Sequence, residues 1–331
     1  ERTNSFEVGM NMRFLKNFEL DVTYYNAKTM NQTFNPELPV GEYARIYIQT
    51  GAVRNQGLEL ALNYNNTWKD FTWNTGVTYS MNKNKILTLA DNAINPITRE
   101  KFSISSLNMG GLGSTRFILK EGGSMGDIYS LMDLKRDANG AVYIDENNSV
   151  VTESLEANNY IKLGSVLPKG NLAWRNNFSW KNINVAFLVS ARLGGVVFSR
   201  TQAVLDNFGV SEASAAARDK GYVSVNGNDR VNPEGWYSVV AGGTAVPQYY
   251  IYSATNIRLQ EASIGYTIPR KWLGNVCDIK VSLIGRNLWM IYNKAPFDPE
   301  SVASTDNFYQ GIDYFMMPSL RNIGFNLSFK F

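Results

Sequence analysis

Apolar and polar residues alternate with a period of two along most of this chain. Phe6, Val8, Met10, Met12 and Phe14 alternate with Glu7, Gly9, Asn11 and Arg13, so an extended strand here presents one apolar and one wet face. The same pattern sets Phe18, Leu20, Val22 and Tyr24 against Glu19, Asp21 and Thr23, and Leu58, Leu60, Leu62 and Tyr64 against Glu59, Ala61 and Asn63. It recurs over Phe71–Met81, Leu172–Trp180 and Ile183–Arg192, and most regularly at the end, where Ile323, Phe325, Leu327, Phe329 and Phe331 alternate with Gly324, Asn326, Ser328 and Lys330. One segment slips: Ile257 and Leu259 are out of phase with Ile264, Tyr266 and Ile268, which predicts a β-bulge or a buried upper rim.

Strands of this kind suit either a soluble sandwich with one face in a core or a membrane barrel with one face in lipid. Several segments run about ten residues or more, the length that crosses a bilayer at a tilt, whereas sandwich strands are about half that. Tyr24, Tyr64, Phe71, Trp73, Trp180, Tyr266 and Phe331 lie near segment ends, where an aromatic girdle sits. The polar faces carry Glu, Asp, Arg, Lys and Asn, costly inside a sandwich core but natural on a water-filled lumen.

The connections point the same way. Short turns near Lys16-Asn17, Lys69-Asp70, Gly122-Gly123, Lys181-Asn182 and Gly274-Asn275 alternate with long connections over 35–50, 85–112, 137–168, 201–248 and 293–318. Short periplasmic turns and long extracellular loops are the asymmetry of outer-membrane barrels. The expectation is therefore an all-β, transmembrane antiparallel β-barrel with about eleven strands in this chain. An odd count is unusual for a bacterial single-chain barrel, so the first strand is expected to have lost a neighbour and the chain to be the C-terminal portion of a larger barrel.

Composition narrows the chemistry. A net charge of +3 over 331 residues gives no electrostatic case for nucleic acid as a partner. The absence of histidine closes Ser-His-Asp and Cys-His catalysis and His-ligated zinc, and no enzymatic activity is expected. Cys277 is the single cysteine; it allows no internal disulfide and reads as a half-buried structural thiol. No stretch reaches the roughly 18 apolar residues of a spanning helix. The start, Glu1-Arg2-Thr3-Asn4, has neither an initiator Met nor a leader pattern, so a leader has been removed or the chain begins within a longer protein.

Several motifs resemble the SusC/RagA family of TonB-dependent transporters. They are Glu1-Arg2-Thr3-Asn4-Ser5-Phe6-Glu7-Val8-Gly9, Val53-Arg54-Asn55-Gln56-Gly57-Leu58-Glu59-Leu60 and Glu121-Gly122-Gly123-Ser124-Met125-Gly126, followed by the run Asn256 to Pro269, Gly285-Arg286-Asn287-Leu288 and Phe297-Asp298-Pro299-Glu300. They span nearly the whole chain. The resemblance implies a 22-stranded barrel, about the size class of plugged outer-membrane transporters, whose plug and N-terminal barrel half precede Glu1. It also implies a Gram-negative outer-membrane location with multiple passes, import of a large nutrient (glycan before peptide), TonB coupling through the preceding part, and a SusD-like surface lipoprotein as lid. Two rivals stay open: a passive porin-like barrel, and a soluble all-β carbohydrate-binding module.

Candidate residues follow from these readings. Phe331, with Phe329 and Leu327, matches the C-terminal signal read by barrel-assembly machinery. Trp236, Tyr237, Tyr249, Tyr250, Trp289, Tyr309 and Tyr314 are aromatic candidates for substrate contact, since rings stack on sugars and apolar side chains; packing and the lipid interface are the competing uses. Asp137, Asn139 and Asp145 sit in a loop resembling a calcium site, but Ala141, Val142 and Asn148 occupy positions where ligands or a closing carboxylate belong, so no cofactor is expected. The Ala-rich run Ser211 to Arg218 predicts a helical turn in the largest loop.

Overall fold

A computed structural model describes residues 1–35, 47–95, 98–243, 245–274, 276–304 and 309–331. Nine strands form its main sheet: β1 Arg2–Phe14, β2 Phe18–Phe34, β3 Ile48–Trp68, β4 Phe71–Thr88, β5 Gly170–Trp180, β6 Ile183–Leu193, β7 Asn256–Ile268, β8 Asp278–Asn293 and β9 Asn322–Lys330. They lie in chain order, each antiparallel to the next. Within the described residues the sheet does not close, and β1 and β9 each have a partner on one side.

The register turns the alternation into a continuous surface. Met12, Leu20, Leu62, Val77, Trp174, Val189, Leu259 and Trp289 follow one another across eight strands, and Tyr266, Val281 and Leu327 continue a lower row onto β9. These side chains share the outward face because residues two apart point the same way. Phe325 is 77% exposed there, as expected of a side chain that takes lipid as its solvent. Near the short-turn end the rings touch in sequence: Phe14 on Phe18 (5.3 Å), Phe18 on Tyr64 (4.7 Å), Tyr64 on Trp73 (5.3 Å) and Trp73 on Phe178 (6.1 Å). This is the expected aromatic girdle in cross-strand contact.

Tight turns at that end use residues with positive φ, Lys16 (63°), Lys69 (51°) and Lys181 (49°), the conformation that lets a short hairpin follow strand twist. The fourth short turn contains Gly274 in the left-handed region; Asn275 lies outside the described residues.

One expectation needs correction. The segments around Gly122-Gly123, counted among about eleven barrel strands, are not in the wall. Thr115–Lys120 and Asp127–Ser130 belong to a separate four-stranded sheet with Ser106–Leu112 and Ile161–Ser165. Phe117, Ile118 and Leu119 are consecutive and all buried. A strand apolar on both faces belongs inside a protein core, where a lipid-facing strand alternates.

That sheet is part of a layer built from the long connections. A core of Phe34, Ile48, Val53, Ile86, Leu89 and Leu119 joins it to the outer ends of β2, β3 and β4. A second core packs Phe117 and Ile128 against Phe198, Tyr250 and Ile312. Among the described residues three α-helices complete the layer: α1 Arg200–Asn207, α2 Glu212–Lys220 and α3 Pro233–Val240. The Ala-rich run becomes α2, capped by the Ser211 hydroxyl accepting from Ser214 N and ended by Gly221 at φ 83°.

Candidate functional site: lumen wall and outer loops

The inward face is polar. One row runs Asn11, Asp21, Ala61, Thr78, Ala173, Ser190, Arg258. The next runs Arg13, Glu19, Asn63, Gly76, Arg175, Leu188, Glu261, Arg286. Neighbouring charges pair across strands, Arg13 with Glu19 at 3.2 Å and Arg286 with Glu261 at 3.0 Å. Both pairs are well exposed, so each contributes little stability and mainly sets the surface charge met by whatever fills the lumen. A cavity of about 530 Å³ lies on this wall, bordered by Asp21, Glu59, Ser80, Asn171, Arg192 and Glu300.

The predicted bulge is present. Pairing of β6 with β7 shifts between Leu188 and Val189, and pairing of β7 with β8 shifts between Leu259 and Glu261. Gln260 is the extra residue, so Ile257 and Leu259 keep the outward face despite their altered phase.

The aromatic candidates separate into three places. Trp236 and Tyr237 on α3 lie close to Tyr249 and Tyr250 of the turn Pro247–Tyr250; Trp236 meets Tyr249 edge-on at 5.1 Å. Tyr250 is 3% exposed and donates to Asp206 at 2.9 Å. Its phenol is raised well above its usual pKa by burial and by the Asp206 carboxylate, which fixes it as a hydrogen-bond donor inside the layer. Tyr237 borders a second cavity of about 740 Å³ with Asp206, Phe208, Arg218, Asn232 and Glu234. Burial raises the Tyr237 phenol first, and the Asp206 charge adds to it.

Tyr309 and Tyr314 are exposed on another segment, anchored where the Ser199 hydroxyl donates to Asp313 at 2.6 Å and Phe315 N donates to Thr201 Oγ1 at 2.7 Å. Trp289 is in none of the loops. It sits on β8 across from Leu259, on the outward face, so its surroundings are those of the lipid-facing row.

Asp137 accepts from the backbone N–H groups of Asn139 and Ala141 at 2.8 and 2.9 Å, and Asp145 from those of Asn147 and Ser149 at 2.9 and 2.8 Å. These are two successive Asx turns. Among the described residues no group of three or more acidic, His or Cys side chains is arranged to hold a metal ion.

Leu327 and Phe329 pair with Val281 and Ile279 on the outward face, and Phe331 follows the last paired residue, Lys330.

Sequence reasoning missed a cluster at the outer end of the wall. Arg258 Nη2 is 2.9 Å from Asp298 Oδ1 and 3.1 Å from Glu300 Oε2. Its Nε donates to Asn256 at 3.1 Å, and Nη1 to Asn287 and Asp298 at 3.4 Å each. Asp298 also accepts from Ser319 Oγ and from Glu300 N. Burial alone would raise the Asp298 carboxyl, but hydrogen bonds from Arg258 and Ser319, from Glu300 N, and the Arg258 charge outweigh it and hold the carboxyl below its usual range. The signal was there, in the motifs containing Arg258 and Asp298, but nothing in one sequence pairs residues forty positions apart.

A family model described as TonB dependent receptor-like, beta-barrel, matches residues 1–186. Two curated proteins of Formosa agariphila align over all of this chain: TonB-dependent receptor P3 at 25% identity and TonB-dependent receptor P26 at 27%. The chain spans about a third of their length, 34% of each. Among solved structures, the RagAB peptide importer in its closed-closed state shares the fold with a TM-score of 0.72 at 16% identity, covering 99% of this chain and 35% of that one. In its open-open state the TM-score is 0.69 at the same identity, covering 99% and 34%.

Proposed function

Because the chain belongs to the TonB-dependent receptor-like β-barrel family, we propose that it forms wall and outer loops of an energised importer in the outer membrane of a Gram-negative bacterium. Its cargo is a large nutrient, a glycan in preference to a peptide. On this reading the wall is completed by further strands, because a sheet edge left open in hydrocarbon strands its backbone N–H and C=O groups without partners. A plug and the segment that contacts TonB belong to parts of the protein outside this chain, and a SusD-like lipoprotein covers the loop layer. The chain's own contribution is selective passage, without bond chemistry.

The observation that carries the reading is the apolar row running unbroken from β1 to β8 while the opposite face holds Asp21, Arg175, Glu261 and Arg286. Lipid outside and water inside suits both faces at once. A glycan is favoured over a peptide by the polar, amide-rich lining of the loop cavity, with Asn148, Asn207 and Asn232 beside Tyr237, since amides and an aromatic face match hydroxyl-rich rings.

The test is uptake of fluorescent oligosaccharides and peptides by cells carrying the whole protein, with and without collapse of the proton-motive force. Energy-dependent uptake with oligosaccharides ahead is expected. Uptake that survives the collapse identifies a passive barrel, and recovery of the protein in the water-soluble fraction identifies a soluble binding module.

A further inference from the structure

The bulge at Gln260 has a consequence for Arg258. Counting back from the outward-facing Ile264 and Ala262 in steps of two, an unbroken strand would put residue 258 on the lipid face. The extra residue reverses the phase and sets Arg258 beside Ser190 on the inward row. There the guanidinium is 4% exposed and meets Asp298, 8% exposed, on the connection leaving β8. That connection is tied down again where Asn293 Nδ2 donates to Ala295 O at 2.9 Å and to Phe297 O at 2.6 Å, and where Phe297 packs edge-on against Tyr252 at 5.4 Å. On its return, Ser319 donates to Asp298, and Asn287 Nδ2 to Leu320 O at 3.4 Å.

The stretch 293–300 is therefore held against the inside of the wall. Glu300 marks how far inward it comes. Its carboxylate borders the lumen cavity with Asp21, Glu59 and Arg192, and also a neighbouring cavity of about 460 Å³ with Arg258, Arg286 and Asn322. It stands as a septum between the two.

We propose that Arg258 is a positioning residue that clamps the connection between β8 and β9 onto the lumen wall, so that the segment around Asp298 and Glu300 narrows the outer mouth of the channel. Removing the Asp298 charge takes the buried carboxylate from a buried guanidinium and leaves Arg258 only the half-exposed Glu300 as an ionic partner, so the attachment at Asp298 loosens. Its consequence for cargo rests on the import reading; the clamp itself does not. The device sets a size limit: bulky solutes reach the inward wall beneath Glu300 when the clamp is open, and small ones reach it in either state.

The experiment uses the whole protein in intact cells, with Cys277→Ser and any cysteine outside this chain replaced as background, and Ser190→Cys as reporter on the inward wall. Asp298→Asn is expected to speed labelling by a bulky polyethylene-glycol maleimide about tenfold while changing labelling by a small maleimide less than about twofold. Glu300→Gln keeps the Arg258–Asp298 pair and should leave the bulky reagent excluded. The proposal is overturned if Asp298→Asn leaves bulky labelling unchanged, or if both reagents speed up together, since a loosened barrel admits both. Should Asp298→Asn fail to assemble, Ser319→Ala is read the same way, with a smaller rise for the bulky reagent alone; no rise overturns the proposal. Size-selective labelling without energised uptake would leave the clamp standing and remove the import reading.

Discussion

The wall and the outer layer of this protein are built from similar residues under opposite rules. In the wall, Leu60, Val77, Val185 and Leu283 alternate with polar residues and face outward. In the outer layer, Phe117, Ile118 and Leu119 follow one another and are all buried, with Phe198 and Ile312 packed in the same core as Phe117. The difference is the solvent. A wall strand has hydrocarbon on one side and water on the other, so period-two alternation satisfies both; a strand in the outer layer has protein on both sides and water beyond, as in an ordinary soluble core.

Substitutions that act differently in the two regions test that contrast. The largest effect belongs to the outer layer: Phe117→Ala should cost the layer about 3–5 kcal/mol through lost burial and a cavity. Hydrogen exchange should then show faster opening of Thr115–Lys120 and Asp127–Ser130 while β5 and β6 stay protected. Leu60→Arg should cost about 2–4 kcal/mol in the wall, read from equilibrium unfolding in lipid, whereas an arginine facing water there would cost almost nothing. Tyr250→Phe removes one donor from buried Asp206 and leaves the Ser211 hydroxyl as its remaining side-chain partner; a loss of about 1–3 kcal/mol, confined to the layer, is expected in thermal unfolding.

Acidification sharpens the contrast at the boundary between the regions. The Asp298 carboxyl is held below its usual range, so its pair with Arg258 contributes fully above the free carboxylate range and is lost as pH falls through the lowered value. The ratio of bulky to small maleimide labelling of Ser190→Cys, in which the slower reaction of every thiol in acid cancels, should stay low at neutral and mildly acid pH and rise only below the ordinary carboxylate range. The smallest effect is Asn63→Ser on the inward face, expected to change wall stability by less than about 0.5 kcal/mol; a large loss would mean the faces are reversed.

Much of the wall was legible because alternation records a two-sided environment directly. The segments from Phe6, Phe18, Leu58, Phe71, Leu172 and Ile323 all lie in the nine-stranded sheet, and the slip at Ile257 and Leu259 marked a real bulge. The resemblance to SusC/RagA transporters agrees with the family match and the shared fold. The strands around Gly122-Gly123 show where a turn signal misleads: a short turn joins core hairpins as readily as wall strands, and Phe117-Ile118-Leu119 does not alternate. The outer layer was opaque because its cores join distant segments, such as Phe34 with Leu119 and Phe117 with Ile312, and periodicity carries no information about such pairings. Among the aromatic candidates, an isolated ring gives no clue to its surroundings. Tyr250 is committed to Asp206 and Trp289 lies in the outward row, while Tyr237 borders a cavity.

The most direct test of the central claim, that the two faces of this sheet meet lipid and water, is spin labelling of adjacent residues in the whole protein reconstituted in bilayers. With Cys277→Ser and any cysteine outside this chain replaced as background, labels are placed singly at Ser282→Cys and Leu283→Cys on β8, and relaxation by oxygen, which partitions into lipid, is compared with relaxation by a water-soluble nickel chelate. The account predicts oxygen-dominated relaxation at 283 and nickel-dominated relaxation at 282; the reverse order, or nickel-dominated relaxation at both, would contradict it.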